Sequence, residues 1–120
     1  MKIETKQNEQ SAIVKIEGSI DVYSVSALGE AIQSSIANGI REVVVDLSEV
    51  RAIDSSGLGT LVGNSKSIAA AGGRIWLVAP NQRIRRMLEI TGLSKYFEIR
   101  SDIDGALAEI GATELCNTTA

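Results

Sequence analysis

The sequence predicts a single α/β domain: a mixed, mainly parallel sheet of four to five strands that starts with an antiparallel hairpin, with helices packed around it. Three observations carry this. Runs rich in β-branched residues alternate with runs whose apolar residues recur every three or four positions, in the order strand, strand, helix, strand, helix, strand, helix, strand, helix. Alternation of that kind joins parallel strands through right-handed crossovers, while the first two strands, split by a short polar turn, pair as a hairpin. At 120 residues the chain has enough length for one core and needs no second domain.

Ile3 to Gln7 alternates weakly, as an edge strand does, and Asn8-Glu9-Gln10 is the turn. Ala12 to Glu17 is the second strand, with Gly18 expected to end it and Ser19 to Tyr23 to form a connection. Ser24 or Ser26 then caps a helix carrying Val25, Leu28, Ile32 and Ile36, which Asn38-Gly39 closes with a left-handed residue. Glu42 to Leu47 holds three consecutive valines and reads as a buried strand, followed by an expected loop from Ser48 to Ala52. A second helix is expected from about Ser56 to Ala71, stopped by Gly72-Gly73. Arg74 to Ala79 is apolar on both faces, the mark of an interior strand in a covered sheet. Pro80-Asn81 breaks it, and a third helix covers about Gln82 to Thr91 with Asn81 as cap and Gly92 as stop. Tyr96 to Ile99 is a short edge strand, and Ile103, Leu107 and Ile110 mark a last helix starting near Asp102. The domain is expected to occupy residues 1–111, and residues 112–120, with little apolar pattern, to form a frayed tail.

Composition limits the functions available. A net charge of −3 disfavours nucleic acid as the main partner, since phosphate neutralisation needs a basic face, and no nucleic-acid partner is expected. Arg83, Arg85 and Arg86 interleave with apolar residues on the third helix and read first as a solvated face, second as an anion or partner contact. Cys116 is a lone cysteine, so the chain forms no internal disulfide, in keeping with a reducing compartment. No stretch has the apolar run of a signal peptide or the roughly 18 apolar residues of a membrane span, which predicts a cytoplasmic protein without membrane insertion.

The chemistry-bearing stretch is Ile53-Asp54-Ser55-Ser56-Gly57-Leu58-Gly59, where strand period gives way to helix period. A serine at such a helix start supports two readings. Its hydroxyl accepts a bond from a free amide as an N-cap, or it becomes a phosphate that the free amides and helix dipole hold. Gly57 and Gly59 cost the helix about 1 kcal/mol each relative to alanine, and they leave bare backbone suited to close approach by a partner. A competing reading has them admit a neighbouring strand.

With no histidine, the chain has no Ser-His-Asp or Cys-His nucleophile and no ordinary zinc site, so no metal or cofactor is expected. Asp21, Asp46 and Asp54 read as turn residues that bond backbone amides before they read as an acid and base pair. The spacing Gly57-x-Gly59-x-x-x-Gly63 places its third glycine one position late for a dinucleotide fingerprint, and packing of Gly63 on the sheet is the expected alternative.

Taken together, Gly18-x-Ile20-Asp21, Val43 to Ser48, Ile53 to Gly59, the Gly72-Gly73 turn and Ile90-Thr91-Gly92-Leu93 resemble, in this order, the stand-alone STAS domains that serve as anti-sigma factor antagonists in bacterial partner switching. The resemblance covers nearly the whole chain and implies a STAS-type domain that is not an enzyme. It implies that Ser55 is phosphorylated by an anti-sigma factor, a serine kinase of the histidine-kinase-like ATPase fold. It also implies that Asp21, Asp54, Ser56, Gly57 and Leu58 surround that serine on the partner-binding surface. By the same resemblance, the unphosphorylated form binds the kinase and frees sigma factor, phospho-Ser55 ends binding, and a serine phosphatase restores it. The alternatives are a STAS-like accessory subunit of a transport or stress complex, without phosphorylation, and a small nucleotide-binding protein using the Gly57 region. A monomer or weak dimer is expected.

Overall fold

Five strands lie side by side in the order in which the chain makes them. The computed structural model describes residues 2–8 and 11–119, with side chains through Gly111. Its elements are β1 (Lys2–Gln7), β2 (Ser11–Ile20), α1 (Val25–Ala37), β3 (Glu42–Ile53), α2 (Ser55–Ala70), β4 (Arg74–Val78), α3 (Gln82–Thr91), a 3-10 turn (Leu93–Tyr96), β5 (Glu98–Arg100) and α4 (Ile103–Thr119). β1 pairs antiparallel with β2, and the remaining pairs are parallel, as the sequence predicts. Glu9 and Gln10 of the expected hairpin turn lie outside the described residues.

Because every parallel crossover steps the same way across the sheet, a single crossover hand puts α1, α2 and α3 on one face. Leu28 and Ile32 of α1, Leu58, Leu61 and Ile68 of α2, and Ile84 and Leu88 of α3 meet Val14, Ile16, Val43, Val45, Leu47, Ile75 and Leu77 there in one core. α4 covers the opposite face, where Ala106 and Ile110 pack on Val44, Trp76 and Val78. The valine run of β3 is thus buried on both faces, which is why it reads as continuous rather than alternating. The guanidinium groups of Arg74 and Arg100 lie 4.9 and 5.0 Å from the centroid of the Trp76 ring, whose Nε1 donates to Glu42 Oε2 at 2.6 Å. Glu42 also bonds Arg74 at 2.8 Å, and this bond raises the Arg74 pKa above its ordinary value. Arg100 in turn binds Glu109, fastening α4 to the sheet edge. Among the described residues no helix is long and apolar enough to cross a membrane.

Several expected boundaries move. Gly18 does not end β2: it sits inside the strand at φ +101°, next to a register shift between Gly18 and Ser19. The extra residue at this shift falls in β3, where Arg51 has no residue opposite, and Gly18 beside it takes a positive φ that glycine adopts without a side-chain clash. The segment Ser48 to Ala52 is strand rather than loop, pairing Glu49, Val50, Ala52 and Ile53 with Glu17, Gly18, Ser19 and Ile20. Its polar residues reach solvent while Val50 and Ile53 remain buried. Asn38-Gly39 does close α1 as expected, Gly39 being the left-handed residue at φ +87°. β4 stops one residue early because Ala79 turns to φ +54°. Leu93–Tyr96 forms the 3-10 turn, so the edge strand starts at Glu98. Gly63 is open to solvent and packs on nothing, contrary to expectation. The helical backbone of α4 continues past residue 111 to Thr119.

Candidate functional site

The bulge and the extra turn of pairing bring β2 and β3 to a common end. Ile20 pairs with Ile53, and the Asp54 amide then donates to Ile20 O at 3.0 Å. Asp21 and Asp54 therefore leave neighbouring strands at the same level, and the β2–α1 and β3–α2 connections run side by side along the C-terminal edge of the sheet. Asn81, at the start of α3, joins the same edge by donating to Val50 O and Arg51 O at 3.2 and 3.0 Å. The strand order never reverses, so this edge lacks the switch-point crevice in which open α/β sheets hold small ligands.

The cap of α2 decides the role of its serines. Asp54 is extended (φ −98°, ψ −177°), and its Oδ1 accepts from the Gly57 amide at 2.9 Å, so the aspartate, not a serine, is the N-cap. Ser55 becomes the first helical residue, exposed, and among the described residues no hydrogen bond engages its hydroxyl. Ser56 is half-buried. The opening amides of α2 have no carbonyl four residues back and lie at the positive end of the helix dipole.

Gly57 and Leu58, expected on the contact surface, are buried instead. A Cβ on Gly57 would lie 2.7 Å from both Ile20 Cγ2 and Ile53 Cγ1 and 3.1 Å from Ile20 O, so this glycine admits the ends of β2 and β3, the packing reading of the pair. Gly59 has nothing within 4 Å and is the bare glycine. Asp21 builds a turn of its own: its amide donates to Ser24 Oγ at 2.9 Å, and its Oδ1 accepts from the Tyr23 amide at 3.0 Å. Ser24 holds the N-cap position of α1 without a side-chain cap bond to the helix. Of the six residues singled out, the structure brings Asp21, Asp54, Ser55 and Ser56 to one surface and withdraws Gly57 and Leu58 from it. Arg83, Arg85 and Arg86 are all exposed, in accord with a solvated face. Among the described residues no three carboxylate or cysteine side chains gather to hold a metal ion.

Sequence reading passed over Val22 and Tyr23, which stand 59% and 94% exposed between Asp21 and Ser24. The available signal was an aliphatic and an aromatic residue inside an otherwise polar strand-to-helix connection.

Residues 2–106 match the family model of the STAS domain. The chain belongs to the STAS-domain family. This STAS domain is 33% identical over 99 residues to the anti-sigma-B factor antagonist of Staphylococcus aureus, covering 82% of this chain and 92% of that one. It is 34% identical over 107 residues to the anti-sigma-B factor antagonist of Bacillus subtilis, covering 89% and 97%. A putative anti-sigma factor antagonist from Thermotoga maritima shares the fold with a TM-score of 0.83 at 27% identity, over 89% of this chain and 92% of its own. At the level of fold alone, the STAS domain also matches the Bacillus protein SpoIIAA in its unphosphorylated and phosphorylated forms, with TM-scores of 0.73 and 0.74 at 18% and 19% identity, covering 91% of this chain in both and 97% and 99% of theirs.

Proposed function

We propose that this STAS domain is a cytoplasmic anti-sigma factor antagonist switched by phosphorylation of Ser55. Unphosphorylated, it binds an anti-sigma factor serine kinase along the edge formed by Asp21, Asp54, Ser55 and Ser56, and sigma factor is released. The kinase phosphorylates Ser55 and the complex ends; a serine phosphatase resets the domain. The role asks for no catalysis by this chain. The observation that carries the reading is the unengaged, exposed Ser55 hydroxyl beside an aspartate that has taken over the cap, in a chain about one-third identical to two anti-sigma-B factor antagonists.

Phosphate brings about −1.5 to −2 charges at neutral pH. The fold tolerates them because the first turn of a helix favours an anion. A docked partner does not, because the phosphate adds volume and charge beside the Asp54 carboxylate at a surface that must be desolvated on binding. The test is intact-mass analysis after incubation with ATP and an anti-sigma factor serine kinase from the same organism. One added phosphate, absent from Ser55→Ala, is expected. Absence of any added phosphate, with wild-type protein still bound to the kinase, would replace this reading with that of a non-phosphorylated accessory subunit.

A further inference from the structure

Resting on the kinase-binding reading above, we infer that Val22 and Tyr23 are the apolar anchor by which this domain docks its kinase, separate from the serine that switches the complex off. Among the described residues the exposed large hydrophobic side chains are Val22 at 59%, Tyr23 at 94% and Ile90 at 75%. Ile90 lies near the C-terminal end of α3, away from the edge at which that helix begins. Val22 and Tyr23 are adjacent, directly follow Asp21, and share the edge with Asp54 and Ser55.

The connection that carries them is already fixed. Its amides at Tyr23, Ser24 and Val25 donate to Asp21, at Oδ1 for the first and at the carbonyl for the other two, each at 3.0 Å. The Asp21 amide donates to Ser24 Oγ, and the Ser24 hydroxyl reaches Ser19 O at 3.3 Å. A rigid backbone presenting a two-torsion aromatic loses little conformational entropy on docking, and such residues are over-represented among those that dominate binding energy. Beside Tyr23, a hollow of about 350 Å³ lined by Ser19, Asp21, Ser24 and Ala27 leaves space for a partner side chain to close around the ring. The matching feature on the kinase is an apolar slot that seats the tyrosine while the active site reaches Ser55. Val22 and Tyr23 are unchanged by phosphorylation, so they set affinity and Ser55 sets the state.

Binding to an anti-sigma factor serine kinase that phosphorylates the wild-type domain is measured by calorimetry for wild type, Val22→Ala, Tyr23→Ala, Tyr23→Phe and Ser55→Asp, together with steady-state phosphorylation of Ser55. Tyr23→Ala is expected to bind about thirtyfold more weakly, with KM raised and kcat unchanged, because uniform binding has been removed. Tyr23→Phe retains binding, and Val22→Ala loses less than Tyr23→Ala. Thermal melts of all the Tyr23 variants match wild type, since an almost fully exposed side chain contributes little to the core. If Tyr23→Ala binds and is phosphorylated like wild type while Ser55→Asp fails to bind, the anchor is wrong and the function stands. If no such kinase of the same organism binds or phosphorylates the wild type, the proposed function falls with the anchor.

Discussion

Gly57 and Gly59 lie two residues apart in the first turns of α2, and the same substitution is expected to act on them in opposite directions. Replacing either glycine by alanine gains helix propensity, up to about 1 kcal/mol in a helix interior and less near an end. At Gly59 nothing lies within 4 Å of the new methyl, so that gain is kept and the variant is stabilised by about 0.5 kcal/mol. At Gly57 the methyl would sit 2.7 Å from two isoleucine carbons and 3.1 Å from a backbone oxygen. Those atoms belong to the paired strand ends, Ile20 and Ile53, which are buried, so relief requires α2 to move off the sheet. Overpacking of this kind costs about 1–3 kcal/mol, which exceeds the propensity gain. Subtracting one variant from the other removes most of the shared propensity contribution and leaves the steric cost, expected at about 1–3 kcal/mol. Urea unfolding of both variants, with unchanged m-values, measures it. A Gly57→Ala protein as stable as Gly59→Ala would refute the close approach of α2 to the β2 and β3 ends, and with it the fixed placement of Ser55.

Two further outcomes follow from the same geometry. Asp54→Ala should lower stability by about 1 kcal/mol through loss of the N-cap, whereas Asp54→Asn keeps the acceptor and should lose only about 0.3–1 kcal/mol of charge–dipole interaction; thermal melts that rank Asn below Ala would count against the cap. The Arg100 guanidinium, by its hydrogen bond, holds the exposed Glu109 carboxylate below its ordinary pKa. A carboxylate depressed in the folded state contributes stability above its unfolded pKa and loses it as pH falls through the folded value, so the contribution of α4 docking should fade in acid. Glu109→Gln should therefore show a shallower loss of urea midpoint than wild type below the ordinary carboxylate range, and identical acid limbs for the two proteins would show that this ion pair contributes nothing.

The order of elements was legible because each is encoded locally. Three consecutive valines, the Asn81 cap and the Gly92 stop act on their own segments, and the structure keeps all three: Val43, Val44 and Val45 are fully buried, Asn81 Oδ1 accepts from the Ile84 amide at 2.8 Å, and Gly92 is left-handed at φ +73°. Asp54, Ser55 and Ser56 could be found for the same reason, since a change from strand period to helix period marks a helix start. What the sequence misplaced depends on partners far along the chain. Ser48 to Ala52 is polar enough to read as loop, and it becomes strand because β2 continues past Gly18 beside it, with register shifts between Lys15 and Glu17 and between Gly18 and Ser19.

The split is sharpest within a single stretch. By itself, Asp54-Ser55-Ser56-Gly57 established a helix start with a hydroxyl near free amides and a dipole, because capping and propensity are properties of a few adjacent residues. It left open whether serine is the cap or the free group, and whether glycine is bare or packed. Tertiary structure decided both. The hydrogen bond from the Asp54 amide to Ile20 O sets the aspartate at the cap and frees Ser55, while the ends of β2 and β3 take up the space that a side chain at position 57 would need. Which groups point at solvent depends on the register between strands, and register is fixed by burying one face of a whole sheet, not by any single segment.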